Sequence, residues 1–196
     1  MAHMQPLPKE TTPELADDFA IFEQILGFVP NSLLTMQRRP DIVRGFGVLT
    51  KAVMAQNGTV DLGFKRLLAH FPSRAAGCQY CEAHSLIAAK IHGISDEKVA
   101  AVWEYQTSPL YTDAERIALD YALAAGSVPN AVDEPLMAKM RAYWEEDEIV
   151  EILGAVCLYG FLNRWNDSMA TDLEAPPKAL GEEVLAQGGW TGGKHV

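Results

Sequence analysis

The chain has 196 residues, of which 48% are hydrophobic and 21% are charged. This length suits a single domain with its own hydrophobic core, and no apolar run approaches the roughly 18 residues that a membrane span needs. Acidic residues outnumber basic ones by 26 to 16, which gives a formal net charge of -10. A charge of this sign disfavours nucleic acids and anionic membrane surfaces as partners, because both would repel the protein.

The opening residues and the cysteine content indicate the compartment. The segment MAHMQPLPKE lacks the charged start and the apolar stretch of a secretory signal, so we expect a cytoplasmic location. Three cysteines are too few for a disulfide scaffold. A close pair of them in a reducing compartment favours reversible redox chemistry or metal binding.

Helical periodicity runs through the first half of the chain, and no segment has the convincing alternation of a β-strand. Thr11 and Glu14 predict a capping box before a first helix that stops near Gly27. A short helix follows VPNS, and a longer one opens at RRPD and ends at an NG pair. A further helix is kinked or stopped at Pro72, and the cysteine segment then runs helically to Gly93.

The second half repeats this helical pattern. Ser95 predicts the start of a short helix, and Thr112 with Glu115 predicts a capping box for a helix that closes on Gly126. Asp133 opens another helix, and the segment DEIVEILGAVCLYGFLNRWNDSMA then gives a long helix that is apolar around most of its circumference. We therefore predict that this long helix is the buried centre of the fold.

We predict an all-α, single-domain bundle over residues 1–175 and an irregular tail over residues 176–196. The prolines of EAPP break the chain, and GGWTGGKHV is too rich in glycine to hold structure unless Trp190 docks on another element. Residues 60–105 and 110–172 both follow a helix–helix–helix order, a weak similarity that would fit an internal helical repeat.

The segment AAGCQYCEAHS places Cys78, Cys81 and His84 at three-residue intervals. Residues three apart on a helix are neighbours on one face, so the three side chains form one stripe. Two thiols at the first turn of a helix can close a disulfide with little backbone movement, and the helix N-terminus stabilises the reactive thiolate. His84 can accept or supply a proton one turn later. The stripe thus has the parts of a dithiol reductant.

Other uses of this stripe compete with redox chemistry. Haem attachment of the c type needs a histidine directly after the second cysteine, where this chain has Glu82, so it is excluded. A structural zinc ion would take the three side chains but lacks an obvious fourth ligand, since His70, His92 and Cys157 lie elsewhere in the sequence. The cysteines could also fill a helix interface. The spacing and the nearby histidine favour redox use over both.

Several motifs together resemble a known family. GCQYCEAH after a helix, SDEKVAAV, FLNRWNDSMATDLE at the end of a long apolar helix and the segment GFVPNSLLTMQRRPDIVRGFGVLTKAVM are similar to the carboxymuconolactone decarboxylase and alkylhydroperoxidase D superfamily, in its peroxidase-related branch. The resemblance implies an all-helical, AhpD-like oligomeric fold and a peroxide-reducing dithiol site. It also implies that Cys81 attacks the peroxide and that Cys78 resolves the product as a disulfide.

Two positions depart from the pattern of that family. The family carries a glutamate twelve residues before the first cysteine as part of a proton relay, and this chain has Arg66 there. The family histidine follows the second cysteine by four residues or is doubled, whereas His84 follows by three and Ser85 by four. The charge of Arg66 would lower a cysteine pKa without transferring protons. These departures predict either a rewired site or a lost activity.

Other polar residues are predicted to have structural roles. Glu82 is expected to face solvent because it lies off the stripe, and Cys157 is expected to be an inert core residue of the long helix. Asn163, Arg164 and Asp167 interrupt that apolar helix. We predict that a buried Arg164 pairs with a carboxylate or amide and ties helices together.

The preferred hypothesis is thiol-dependent reduction of hydroperoxides. Cys81 attacks the distal oxygen, Cys78 closes the disulfide and His84 assists proton movement, with no bound cofactor or metal required. An external dithiol or a thiol protein would restore the thiols, because the chain has no flavin or nicotinamide signature. An apolar face left over by the helical layers favours a homo-oligomer. The alternatives are a non-enzymatic redox sensor or scaffold, and a decarboxylase- or isomerase-like enzyme with incidental cysteines.

Overall fold

A computed structural model describes residues 2–196, and every regular element within that range is helical. The prediction of an all-α fold is therefore confirmed. The α-helices are α1 (Ala16–Leu26), α2 (Asn31–Met36), α3 (Pro40–Val53), α4 (Leu62–Leu68), α5 (His70–Ala75), α6 (Gln79–Ile91), α7 (Asp96–Ala100), α8 (Asp113–Gly126), α9 (Glu134–Tyr143), α10 (Glu146–Met169) and α11 (Ala175–Leu180).

Short polar side chains start several of these helices. The Thr112 hydroxyl accepts from the Glu115 N–H, and the Glu115 carboxylate accepts from the Thr112 N–H, so the predicted capping box of α8 is present. The capping box predicted at Thr11 and Glu14 is wrong. A 3-10 turn at Pro13–Leu15 occupies that position, and α1 begins only after it.

Helix α10 has 24 residues and packs against α3, α4, α5, α6 and α8, so it is the central element of the bundle. Its buried side includes Ile152 and Leu158. The prediction that it is buried on most sides is wrong, because Val150 is 68% exposed and Cys157 is also exposed. An exposed apolar stripe therefore runs along one side of α10, and its members follow one another by about one helical turn: Val150, Leu153, Cys157 and Phe161. The predicted homo-oligomer stays a prediction.

No helix among residues 2–196 combines the length and the apolar character that crossing a bilayer requires. The 24 residues of α10 would be long enough. Its sequence, however, carries acidic residues in the first turn and polar ones near its end.

A bend between α4 and α5 sets the position of the cysteine segment. Helix α4 ends at Leu68, and Pro72 lies within the short helix α5 that follows, so the predicted break at this proline is present. Gly126 of α8 lies so close to Pro72 that a Cβ at Gly126 would approach the Pro72 Cα to 2.5 Å. This close packing brings the start of α6 over the middle of the bundle, against α10.

The tail predicted to be irregular is ordered. Helix α11 crosses the predicted boundary at residue 175, and a π-helical turn, Gly181–Leu185, continues it. The Trp190 ring is buried against Gly181, and its Nε1–H donates to the Gln79 carbonyl at 2.9 Å. The glycines that suggested disorder serve turns instead, since Gly189 and Gly192 both have positive φ.

We expect Trp190→Ala to detach the last residues from the bundle. The change removes the burial of an indole, about 3–5 kcal/mol of docking free energy. Trp190→Phe is the matched control, because it keeps most of the buried ring and loses mainly the hydrogen bond, about 1 kcal/mol. Hydrogen exchange read by mass spectrometry should show faster exchange of the amides of residues 190–195 in the alanine variant only. Equal protection in both variants would contradict docking through Trp190.

Candidate active site

Both thiols of the stripe lie in the first turn of α6. Cys78 is the N-cap residue, its N–H donates to the Ser73 carbonyl at 3.0 Å, and Cys81 follows within the first turn. Both are buried and both are free thiols. The two side chains interact strongly enough for each to shift the pKa of the other.

The pair divides into one acidic and one weakly acidic thiol. The hydrogen bond from Cys81 lowers the pKa of Cys78 to about 6 against the opposing effect of burial, with a further contribution from His195. Burial raises the pKa of Cys81 well above its usual range, and its interaction with Cys78 raises it further. One proton is therefore shared by the two sulfurs at neutral pH, and it resides mainly on Cys81.

A cavity of about 900 Å³ ends at one of these sulfurs. Cys81, Tyr80 and His84 form part of its wall, whereas Cys78 does not. Most of the other lining side chains are apolar, among them Phe22 and Leu162. The volume lies in the range of pockets that bury organic ligands. An apolar molecule in this cavity therefore meets Cys81, and Cys78 lies behind it.

Asn166 of α10 is a site residue that the sequence analysis missed. Its Nδ2 donates to the Cys81 Sγ at 3.5 Å, and its side chain is buried on the cavity wall. An amide donor to this sulfur favours the thiolate over the thiol. The signal in the sequence was a second amide three residues after Asn163, on the same buried side of α10.

His84 is held by a carboxylate from a distant part of the chain. Its Nε2 lies 2.6 Å from Glu174 Oε2, and its ring stacks on Tyr80 at 4.2 Å between centroids. The Tyr80 hydroxyl donates to the other Glu174 oxygen at 3.0 Å, and so does the Asn31 N–H at 2.5 Å. Burial opposes ionisation of Glu174, but His84 and the Asn31 N–H outweigh it and lower the pKa of the carboxyl. The site therefore has an ionised carboxylate beside His84, although Arg66 stands where the family pattern has a glutamate.

Arg66 lines the same cavity but does not act on the thiols as predicted. It lies near Tyr159 of α10 on the cavity wall, where burial raises the pKa of that hydroxyl and Arg66 opposes the rise. Burial, the partner cysteine, Asn166 and His195 are what set the pKa values of the pair. The Nε atom of Arg66 is buried and makes no hydrogen bond.

Glu82 is buried, so the prediction that it faces solvent is wrong. Its carboxylate lies 4.0 Å from His70 Nε2, on the side of α6 away from the cavity. Burial raises the pKa of Glu82 to about 7 and lowers the pKa of His70 to about 4. At neutral pH His70 is therefore uncharged and Glu82 is close to half-protonated, which makes them a polar pair rather than an ion pair.

The polar residues at the end of α10 differ from their predicted pairing. Arg164 is exposed and donates to the Gly160 carbonyl of its own helix, so the predicted buried arginine is wrong. Asn163 does tie helices together, because its Nδ2 donates to the Pro72 carbonyl at 3.2 Å. Asp167 pairs instead with Lys194 at 2.9 Å.

For the zinc alternative, no three His, Cys, Asp or Glu side chains in residues 2–196 converge as metal ligands.

Comparison with known proteins places the site in a family. Residues 40–124 match the model of the carboxymuconolactone decarboxylase family, a stretch that contains Cys78, Cys81 and His84. The Escherichia coli K12 protein YnjA, described as uncharacterized, is 34% identical over 93 residues. That alignment covers 47% of this chain and 50% of YnjA, so the chain spans about half the length of this relative.

Solved structures extend the similarity to nearly the whole chain. The debrominase Bmp8 in its apo form is 37% identical, with a TM-score of 0.86, covering 92% of this chain and 97% of Bmp8. A cysteine-to-alanine variant of Bmp8 in complex with 2,3,4-tribromopyrrole is 36% identical, with a TM-score of 0.87 and coverage of 92% and 96%. A peroxidase-related protein of Ralstonia eutropha JMP134, an alkylhydroperoxidase AhpD core, is 22% identical with a TM-score of 0.74, covering 89% and 94%. The last likeness confirms the predicted AhpD-like fold.

The buried carboxyl of Glu82 predicts an unusual pH dependence of stability. Because its pKa rises from 4.5 unfolded to about 7 folded, the stability it contributes is complete below pH 4.5 and is lost as the pH rises to about 7. Between pH 5 and 8 the unfolding free energy of the wild type should therefore fall by roughly 2–3 kcal/mol more than that of Glu82→Gln. Urea unfolding at both pH values measures this difference, with the exposed Glu97→Gln as the control. Parallel pH dependence of wild type and Glu82→Gln would refute the assignment.

Proposed function

Since the chain belongs to the carboxymuconolactone decarboxylase family, we propose that it is a dithiol-dependent reductase of apolar organic molecules, with halogenated aromatic compounds as the first candidate substrates. One observation carries the proposal. Cys81 lies on the wall of an apolar cavity of about 900 Å³, and a second thiol, Cys78, lies directly behind it. A cavity of this size and polarity suits an aromatic or alkyl group. The identity of 36–37% with the debrominase Bmp8 favours the halogenated class.

The reaction begins with the proton shared by the two sulfurs. Transfer of this proton from Cys81 to Cys78 presents a thiolate to the cavity, and the Asn166 amide stabilises it there. The thiolate attacks the halogen, so that a sulfur–halogen bond forms and the carbon–halogen bond breaks. The ring carbon keeps the electron pair and takes up a proton.

The second sulfur completes the reduction. The Cys78 thiolate attacks the Cys81 sulfur, a disulfide forms and halide leaves, so the two thiols are oxidised as the substrate is reduced. His84 and Tyr80 on the cavity wall, both bonded to Glu174, are where a proton for the ring carbon can be held. An external dithiol or thiol protein then reduces the disulfide.

Hydroperoxide reduction, the function preferred from the sequence, is the second candidate. The same geometry serves it, because Cys81 can attack the distal oxygen of a hydroperoxide whose alkyl group fills the cavity. An alcohol leaves, and Cys78 converts the resulting sulfenic acid to the disulfide with loss of water. The apolar lining favours an organic hydroperoxide over hydrogen peroxide, because hydrogen peroxide has no group to bury there.

Two substrates tested in parallel separate these candidates. Reduced protein with dithiothreitol is incubated with 2,3,4-tribromopyrrole, and bromide is measured by ion chromatography; cumene hydroperoxide consumption is followed in the second arm. We expect bromide release that Cys81→Ser reduces to the level of dithiothreitol alone, whereas the exposed Cys157→Ser keeps wild-type turnover. Peroxide consumption without bromide release would select the peroxidase. Equal background rates of wild type and Cys81→Ser in both arms would exclude a reductase, and a disulfide formed without turnover would favour a redox sensor.

Glu174→Gln should slow turnover by roughly 10- to 100-fold. The amide keeps the size of the side chain and can still accept from Tyr80, but it cannot hold His84 by charge. Single-turnover rates measure the effect, with circular dichroism to verify the fold. Glu183→Gln, an exposed carboxylate of the same segment, is the matched control. A wild-type rate in Glu174→Gln would remove this carboxylate from the proton network.

A further inference from the structure

The last eleven residues, 186–196, form a strap across the first turn of α6. Trp190 and Thr191 both bind Gln79: the indole N–H donates to its carbonyl at 2.9 Å, and the Thr191 N–H donates to its side-chain oxygen at 3.0 Å. At the far end the Leu173 N–H donates to the His195 carbonyl at 2.8 Å. The strap thus covers the side of the dithiol that faces away from the cavity.

His195 is the one imidazole that the strap brings to this turn, and its side chain is 1% exposed. Its Nδ1 lies 2.8 Å from the Thr171 carbonyl. A carbonyl oxygen only accepts hydrogen bonds, so Nδ1 carries a proton and Nε2 of the neutral ring is a free acceptor. Nε2 is buried without a hydrogen bond and lies 3.8 Å from Asp167 Oδ1. The ring centroid is 5.9 Å from that of Tyr80, which lies in the first turn of α6 two residues after Cys78, and the imidazole favours ionisation of Cys78 by lowering its pKa.

The need for a base beside Cys78 changes during the proposed reaction. In the reduced protein the Cys81 thiol donates to the Cys78 sulfur and is the largest influence that favours a Cys78 thiolate. Once Cys81 has taken a halogen or oxygen from the substrate it has no S–H, so that donor is lost. Cys78 must nevertheless be a thiolate to attack, because a thiol is a poor nucleophile. The remaining side chain that favours its ionised form is His195.

We infer that His195 is a positioning residue that takes the proton of Cys78 and holds it as a thiolate while Cys81 carries the group removed from the substrate. This inference rests on the proposed dithiol reaction and extends it. The proton passes from the Cys78 sulfur to Nε2 of His195, which becomes an imidazolium beside the thiolate. The thiolate then attacks the Cys81 sulfur, the disulfide forms and the halide leaves, or water leaves after a proton reaches the hydroxide. Asp167 Oδ1 is placed to stabilise the imidazolium.

Other ionisable groups surround the same turn. Those that face Cys78 or His195 from α6, α10 and the strap are Tyr80, Cys81, Glu82, Asp167 and Lys194. Burial holds the pKa of Tyr80 well above its usual range, so tyrosinate does not form where the thiol titrates. A carboxyl, an ammonium or an imidazole gives no thiolate band. The difference in absorbance at 240 nm between proteins with and without Cys78 therefore reports the thiol.

The first test needs no substrate, so it is independent of the proposed function. In Cys81→Ala/Cys157→Ser protein Cys78 is the only thiol, and its ionisation is followed at 240 nm against pH. We expect the midpoint to move upward when His195→Gln is added, because the imidazole favours the thiolate of Cys78. Gln187→Ala, a change at an exposed strap residue outside this network, should leave the midpoint unchanged. A midpoint that moves with neither His195→Gln nor His195→Asn overturns the inference.

The second test separates the two halves of the reaction. Cys157→Ser protein with and without His195→Gln is mixed with one equivalent of the substrate that the parallel assay identifies, and the reaction is quenched at intervals. His195→Gln should leave loss of substrate unchanged and slow disulfide closure at pH 7 by about 100-fold. Equal slowing of both steps would indicate a purely structural role and overturn the inference. Failure of both proteins to consume substrate would count against the proposed function alone.

Discussion

Two buried sulfurs at the start of α6 share a single proton, and the placement of the resulting negative charge governs what is packed around them. A charge away from water is costly unless polar groups compensate it. Here the compensation comes from the positive end of α6, from the amide of Asn166 on α10 and from His195 on the strap. Each belongs to a different part of the chain, so the fold can be understood as the arrangement that brings these groups to one helical turn.

The turn has two unlike sides. On the cavity side the environment is apolar, and a substrate reaches only Cys81. On the hidden side lie Cys78, the strap and the buried carboxyl of Glu82. Because the easily ionised sulfur is the hidden one, the reduced protein keeps its charge away from the cavity until the proton moves between the two thiols. In the proposed reaction, transfer of that proton from Cys81 to Cys78 therefore comes before attack on the substrate.

The sequence was sufficient for local features and insufficient for those made by distant residues. Capping residues such as Thr112, the break at Pro72 and the helical stripe of two cysteines all depend on neighbours within a few positions, and they were predicted. Cys157 was placed in the core because α10 is apolar on most sides, yet periodicity cannot tell which apolar face finds a partner.

The unpredicted site residues share a different cause. Glu174 stands just before the Ala-Pro-Pro run, where no local pattern marks it as a site residue. Its role depends on the contact with His84, which joins residues 90 positions apart in the sequence. His195 lies in a glycine-rich segment whose composition is typical of disorder, and only the docking of Trp190 gives it a place. Burial of Glu82 likewise results from the approach of His70, 12 positions earlier, rather than from its own position on the helix.

The strap also sets the order in which the site matures. Trp190 meets Gln79 across 111 positions of sequence, so a chain emerging from the ribosome presents its two thiols well before the residues that cover one of them have been made. Closing so long a loop is slow relative to forming α6 itself. Docking of the strap on the first turn of α6 is therefore expected to be a late step in folding, after that helix has formed.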